Sequence, residues 1–257
     1  MVSIALSVNL NKIALIRNSR EGNFPNVTEF AQLCLDSGAD GITVHPRPDQ
    51  RHIRPSDVIN IHTLIKNYPT KEFNIEGNPF ADELIGSTEN YPGFLALVKS
   101  ALPHQCTLVP DNNTQLTSDH GFDLKTEGEK LAPIIKELKS LGVRVSLFMD
   151  PDIEQLDLAK SIGADRIEFY TGPYAELFKS SDTTEFKKLF QLFYDAAKHA
   201  KEIGLGINAG HDLNLKNMPQ FATIPGLQEV SIGHALTVES LLISMPTAIQ
   251  KYLKICH

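Results

Sequence analysis

Imidazoles and carboxyl groups recur at matching places in this chain, each at or just after a short β-branched run. His45 follows Gly41-Ile42-Thr43-Val44, Glu76 follows Phe73-Asn74-Ile75, and Glu168 lies within Arg166-Ile167-Glu168-Phe169. His211 and His234 follow Ile207-Asn208-Ala209 and Val230-Ser231-Ile232. Groups whose proton affinity the surroundings can tune toward neutrality suit proton shuttling around carbonyl or imine intermediates. Metal-assisted hydrolysis draws on the same residue types. The first run, however, ends in Asn9-Leu10-Asn11-Lys12, with no paired histidines at ligand spacing. A lysine Schiff base ranks third, because only Lys12 lies near such an exit, beyond Asn9.

The same places carry anion-binding signals. Asn208-Ala209-Gly210-His211-Asp212 and Ile232-Gly233-His234-Ala235 set glycines just beyond two of the runs, where backbone amides and a helix amino terminus can hold phosphate. Lys12, Arg17, Arg20, Arg47 and Arg51 gather in the first two connections and could hold a second anion. With 31 acidic residues against 24 Lys and Arg, the chain has a formal charge of −7, which argues against a general polyanion-binding surface and for phosphorylated small molecules in a local pocket. His62 and His199 fall in helical patterns, and His104, His120 and His257 in a connection, a loop and the terminus. These five are expected to be structural or solvated.

Positioning those groups requires a scaffold that brings many strand ends together. Short apolar runs near residues 3–8, 41–44, 73–75, 107–109, 145–148, 166–169, 205–207 and 230–232 alternate with stretches of helical periodicity. Val27, Phe30, Ala31 and Cys34 share one helical face that Gly38 ends, and Pro55 opens another helix. Leu131, Ile134, Ile135, Leu138 and Leu141 make the clearest stripe; Leu241, Leu242 and Ile249 mark one final helix. Eight strand-then-helix units imply parallel pairing and a single (β/α)₈ barrel domain over residues 1–257, with extra short helices in the loops after the strands. An open doubly wound sheet is the lesser reading, since no glycine-rich dinucleotide turn follows the first strand. Dividing 257 by eight leaves about 32 residues per unit, close to the minimum, so the surplus should sit after strands one, four and six. Cys34 and Cys106 read as buried thiols and Cys256 as a thiol at a frayed end. The absence of a signal-peptide pattern or long apolar run gives the expectation of a cytoplasmic protein.

Ser7-Val8-Asn9, Arg17-Asn18-Ser19-Arg20, Gly38 through Arg47, Arg51-His52-Ile53, Asn74-Ile75-Glu76, Leu108-Val109-Pro110, Thr171-Gly172, Asn208-Ala209-Gly210-His211 and Ile232-Gly233-His234-Ala235 together resemble the pyridoxine 5′-phosphate synthase family. The resemblance implies a barrel enzyme that condenses 3-amino-2-oxopropyl phosphate with 1-deoxy-D-xylulose 5-phosphate, giving pyridoxine 5′-phosphate, phosphate and water. It implies a homo-octamer, and nothing in the sequence calls for a metal or an organic cofactor. His45 and Glu76 then match proton acceptors, His211 a proton donor, and Glu168 a transition-state-stabilising carboxylate. Asn9, Arg20, Asp212, Gly233 and His234 match the aminoketone phosphate site; Asn11, Lys12, Arg47, His52 and Thr117 match the deoxyxylulose phosphate site. Asp111 to Asp123 matches a loop that closes over the mouth. Asn11-Lys12 stands where Asp-His is common, and Asp212 where glycine is common, so the Asp212 backbone N–H rather than its carboxylate is expected to meet phosphate. The alternative by residue types alone is a barrel lyase, isomerase or aldolase acting on one sugar phosphate. A phosphometabolite-binding protein without activity is a third.

Overall fold

The computed structural model describes residues 3–86, 88–112, 115–180 and 183–257. Eight parallel strands, β1 (Ala5–Asn9), β2 (Gly41–Val44), β3 (Glu72–Gly77), β4 (Gln105–Leu108), β5 (Arg144–Met149), β6 (Arg166–Tyr170), β7 (Gly206–Gly210) and β8 (Leu227–Ile232), close into a barrel in sequence order. The helices are α1 (Asn11–Asn18), α2 (Val27–Asp36), α3 (Pro55–Ile65), α4 (Phe94–Ala101), α5 (Leu124–Ser140), α6 (Ile153–Ser161), α7 (Gly172–Ser180), α8 (Thr183–Glu202), α9 (Met218–Phe221), α10 (His234–Ile243) and α11 (Met245–Cys256). This is the (β/α)₈ architecture read from the alternation. Extra helices do sit after β1 and β6, as α1 and α7, but another follows β8, and a long connection with an isolated Leu84–Tyr91 bridge follows β3.

The local signals acted as their physics requires. Pro55 fills the first helical position of α3, where a missing N–H leaves nothing unpaired. Gly38, at φ 102°, takes the left-handed turn that ends α2. The final helix is two helices, not one: Ser244 breaks the run at φ 70° and Met245 starts α11, with Pro246 in its first turn. Leu241 and Leu242 are accordingly not core residues, being 76% and 83% exposed, while Ile249 is buried. Cys256 is not frayed either. It is buried, and its carbonyl accepts the Ile4 N–H, tying the C-terminal helix to the start of β1.

Strand alternation separates two environments. Leu6, Val8, Ile42, Val44, Ile75, Leu108, Leu147, Ile167, Phe169, Ile207 and Val230 are all buried and belong to the apolar core shared with the helices. The alternating positions carry polar side chains, also buried: Ser7, Thr43, Asn74, Glu76, Gln105, Thr107, Glu168, Asn208, Glu229 and Ser231. Barrels usually fill this inner space with branched apolar residues. Here it is hydrogen-bonded instead. Ser7 meets Thr43 at 2.6 Å, Thr107 donates to Asn74 at 3.2 Å, and Asn208 donates to Gln105 at 3.2 Å. Arg166 donates to Asn208 at 3.0 Å and pairs with Glu229 at 3.1 Å. Buried polar groups are tolerable only when satisfied in this way.

Candidate active site

The carboxyl ends of the strands converge, and most of the residues expected at the site meet there. Asn9, at the end of β1, donates to Glu76 at 3.3 Å, and its side-chain oxygen accepts the Asn11 N–H at 3.0 Å. The Asn11 side chain in turn accepts the His45 N–H at 2.9 Å. Three strand exits are thereby locked to one another. Glu76 also accepts from Ser231 at 3.4 Å, and its Oε2 lies 4.0 Å from His45 Nδ1. Glu168 accepts from Thr107 at 3.4 Å. A Cβ on Gly210 would lie 2.1 Å from Glu168 Oε1, so only glycine at the end of β7 lets this carboxyl stand where it does.

His211 begins the loop after β7 in the left-handed region, at φ 67°, and Asp212 follows at φ 52°. Two successive non-glycine residues there store strain of about 1–3 kcal/mol each. The surroundings hold them: Thr171 donates to the Gly210 carbonyl at 2.8 Å and to that of His211, and Asn217 donates to the Asp212 carbonyl at 3.1 Å. The His211 ring packs on Phe148 and Tyr170 with centroids 4.9 and 5.8 Å away. Gly233 precedes α10, whose first turn no side chain caps, and sits against Asn9. That helix end offers free N–H groups and the positive end of a helix dipole beside the interlocked strand exits. His234 and Asp212 are exposed.

The protonation pattern is set by burial. Desolvation holds His45 well below its ordinary value, helped by Arg47, His52, His211 and Arg51. Desolvation lowers His211 to about 4, with Asp212 opposing it and Arg47 and Lys12 adding to it. It also lowers His52 to about 3, with Arg47, Arg51 and Lys12 adding to it. His52 Nδ1 accepts the Ile53 N–H at 2.9 Å, which places its proton on Nε2. Glu76 and Glu168 move the other way. Burial raises both well above the carboxylate range, and Glu76 raises Glu168 further. At neutral pH these directions favour neutral imidazoles and protonated Glu76 and Glu168, a set able both to take and to give protons.

Other expected residues are placed less centrally. Lys12 is half-buried and close enough to depress both His52 and His211. Thr117 is exposed on the β4 connection, whose residues 113 and 114 lie outside the described residues. Arg20 is exposed just past α1 and takes no part in the hydrogen bonds that join the strand exits. Arg17 is no free cation: it is buried, pairs with Asp57 at 2.6 Å and donates to the His52 carbonyl at 2.9 Å. Of the five histidines set aside, His104 accepts the Phe73 N–H and His199 pairs with Asp157. The sequence marked Asp111 only as the first residue of the closing loop, not as a site residue. Asp111 is buried, pairs with Arg47, and brings Oδ2 to 3.6 Å from His45 Nε2. Its only local sign is the place directly after the Val109-Pro110 exit of β4. Among the described residues, no group of three or more His, Cys, Asp or Glu side chains is arranged to hold a metal ion. The opposite end of the barrel has a cavity of about 240 Å³ lined by Asp40, Glu72 and Glu229, a poor host for phosphate.

Fold and mouth define a closed (β/α)₈ barrel whose strand exits gather imidazoles, carboxyls and an uncapped helix amino terminus. The chain belongs to a particular family: the sequence model described as "Pyridoxal phosphate biosynthesis protein PdxJ" matches residues 6–257. It is 51% identical over 255 residues to the pyridoxine 5′-phosphate synthase of Xanthomonas campestris pv. campestris (strain B100), covering 99% of this chain and 96% of that one. The enzyme of the same name from Xylella fastidiosa (strain M12) is 50% identical over 251 residues, covering 97% and 94%. Among solved structures, 3-hexulose-6-phosphate synthase from Salmonella typhimurium shares the fold with a TM-score of 0.60 at 16% identity, each chain covered to 98%. The 3-keto-L-gulonate-6-phosphate decarboxylase of Vibrio cholerae O1 biovar El Tor does so with a TM-score of 0.59 at 13% identity, again covered to 98% each. At such identities these two likenesses concern the barrel alone. Among the described residues, no helix is long and apolar enough to cross a membrane.

Proposed function

We propose that this protein is a pyridoxine 5′-phosphate synthase, joining 3-amino-2-oxopropyl phosphate to 1-deoxy-D-xylulose 5-phosphate and releasing phosphate and water. Half of all positions identical to enzymes of that name over nearly the whole chain is the observation that carries the reading. The amine of one substrate attacks the ketone of the other, so no enzyme lysine is needed for the imine. What the enzyme must supply is repeated proton transfer and a dry enclosure.

In this reading Gly233, the first turn of α10, Asn9, His234 and the Asp212 backbone receive the aminoketone phosphate, with Arg20. Asn11, Lys12, Arg47, His52 and Thr117 receive the ketose phosphate. His45, neutral at rest, is ready to accept a proton. Glu76 begins protonated and must give its proton away before it can accept another. His211 begins neutral and must gain one before it can donate. The ketose phosphate dianion entering beside Lys12 and Arg47 offsets the cations that depress these imidazoles, and so raises their proton affinity. Glu168 steadies positive charge on the ring-closing intermediates once it is ionised. The segment from Asp111 to Asp123 closes over the bound pair. We read the chain as one cytoplasmic domain that assembles as a homo-octamer and uses no metal or organic cofactor. Expression in a bacterium deleted for its own pyridoxine 5′-phosphate synthase tests the reading: growth without added pyridoxine supports it, and abundant folded protein without growth contradicts it.

A further inference from the structure

We propose that Asp111 is a positioning residue for His45, fixing the imidazole proton on Nε2 so that Nδ1 is the nitrogen that receives protons. The inference rests on the synthase reading for its kinetic part and on geometry for the rest. The His45 ring is bracketed by two carboxyl groups at opposite nitrogens: Asp111 Oδ2 lies 3.6 Å from Nε2 and Glu76 Oε2 lies 4.0 Å from Nδ1. The two differ in their partners. Burial pushes Asp111 up from the ordinary carboxylate range, but Arg47 pairs with it and the Ser118 hydroxyl donates to it at 3.0 Å, and both pull it back toward the ionised form. Among the described residues, no Lys or Arg pairs with Glu76; besides His45, its side-chain partners are the Asn9 amide and the Ser231 hydroxyl. The carboxyl paired with a guanidinium, and so the stronger acceptor, is on the Nε2 side, and an imidazole N–H turns toward the stronger acceptor.

Asp111 is itself held in place. Its carbonyl accepts the Asn78 side chain, and Arg47 reaches the carbonyls of Asn112 and Gln115, each at 3.4 Å. The His45 main chain is fixed by Asn11. Ring and carboxylate are therefore placed independently and meet without either having to move far. When a substrate bond to hydrogen breaks and leaves its electron pair on the substrate, the new N–H bond forms at Nδ1. Asp111 then becomes the counter-charge of the imidazolium. The other charged or titratable groups that bear on His45 are Arg47, Arg51, His52 and His211. All are cationic when charged; among the described residues, Asp111 and Glu76 are the carboxyl groups paired with the ring.

Magic-angle-spinning ¹⁵N NMR of the sedimented protein labelled at histidine tests this directly, with His45 assigned by the signals lost in His45→Gln. The proposal expects protonated Nε2 and bare Nδ1 at neutral pH in the unliganded protein. A proton on Nδ1 overturns it whether or not the enzyme makes pyridoxine 5′-phosphate. Asp111→Asn supplies the second readout. It is expected to lower kcat about tenfold or more without raising KM for either substrate, and to move the acid limb of the kcat profile to lower pH. The sign follows because His45 must be neutral to accept a proton, and losing a neighbouring anion lowers its pKa. A raised KM with an unmoved pH profile would mark Asp111 as a mere loop anchor and overturn the proposal.

Discussion

Replacing Arg17 by methionine removes one charge from a buried ion pair while nearly preserving its length. Arg17 is 1% exposed, its guanidinium lies 2.6 Å from Asp57 Oδ1, and its second nitrogen donates to the His52 carbonyl at 2.9 Å. Asp57, also buried, would be left with the Arg54 N–H at 2.8 Å as its remaining partner. An uncompensated charge of this kind destabilises by about 3–5 kcal/mol. For a chain of this size each kcal/mol moves Tm by about 2–4 °C, so Arg17→Met should melt roughly 10 °C below the parent in calorimetry. Adding Asp57→Asn removes the stranded charge while keeping an acceptor for the Arg54 N–H, and should recover about half of the loss. Asn18 still donates to the His52 carbonyl at 2.8 Å, so KM for the ketose phosphate should stay within about threefold of the parent value. A single-variant Tm within about 2 °C of the parent, or a double variant no better than the single, would refute the idea that this pair is a buried structural lock rather than a phosphate site.

Gly210→Ala should leave circular dichroism unchanged yet lower kcat about a hundredfold, because the new methyl takes the place of a Glu168 oxygen. Undiminished turnover would remove Glu168 from the chemistry. Glu76→Gln should abolish most turnover and also change the pH dependence of stability. A carboxyl raised on folding loses stability as pH climbs from its unfolded value through its folded one, so the variant should gain Tm over the parent on the alkaline side and not in mild acid. Equal differences at both ends would contradict the protonated resting state. The depressed imidazoles act in the opposite sense: stability present above about pH 6.5 is lost as pH falls toward the folded values of His211 and His52. His211→Asn should reduce that acid-side loss and should lower kcat far more than it raises either KM; retained turnover would strike His211 from its role as donor.

How much of this was legible in the chain depends on how local each cause is. The barrel was, because Gly38 and Pro55 act within a turn of themselves and apolar runs repeat at a regular interval. The exits carrying His45, Glu76, Glu168 and His211 were legible for the same reason, since a strand end is a position in the sequence before it is a position in space. The single final helix failed where the leucine-rich run from 241 outweighed Ser244 and Pro246, a stop and a first-turn proline only two residues apart. Arg17 was read as an anion ligand because its connection is cationic. Its actual partner, Asp57, stands 40 residues away, which no periodicity reports. Asp111 went unmarked as a site residue for that reason too, as Arg47 is 64 residues distant and meets it only once β2 and β4 are placed in the closed barrel. The polar barrel interior had a faint signal in alternating Ser7, Asn9 and Thr43, Asn74, Glu76, where buried parallel strands usually read as unbroken apolar runs.

The most direct test supplies purified protein with 3-amino-2-oxopropyl phosphate and 1-deoxy-D-xylulose 5-phosphate together and follows both products in time. A synthase releases pyridoxine 5′-phosphate and inorganic phosphate in equal amounts, and neither forms when one substrate is withheld. Failure to form the pyridine ring at any neutral or mildly alkaline pH, or turnover of the ketose phosphate without the amine, would contradict the account.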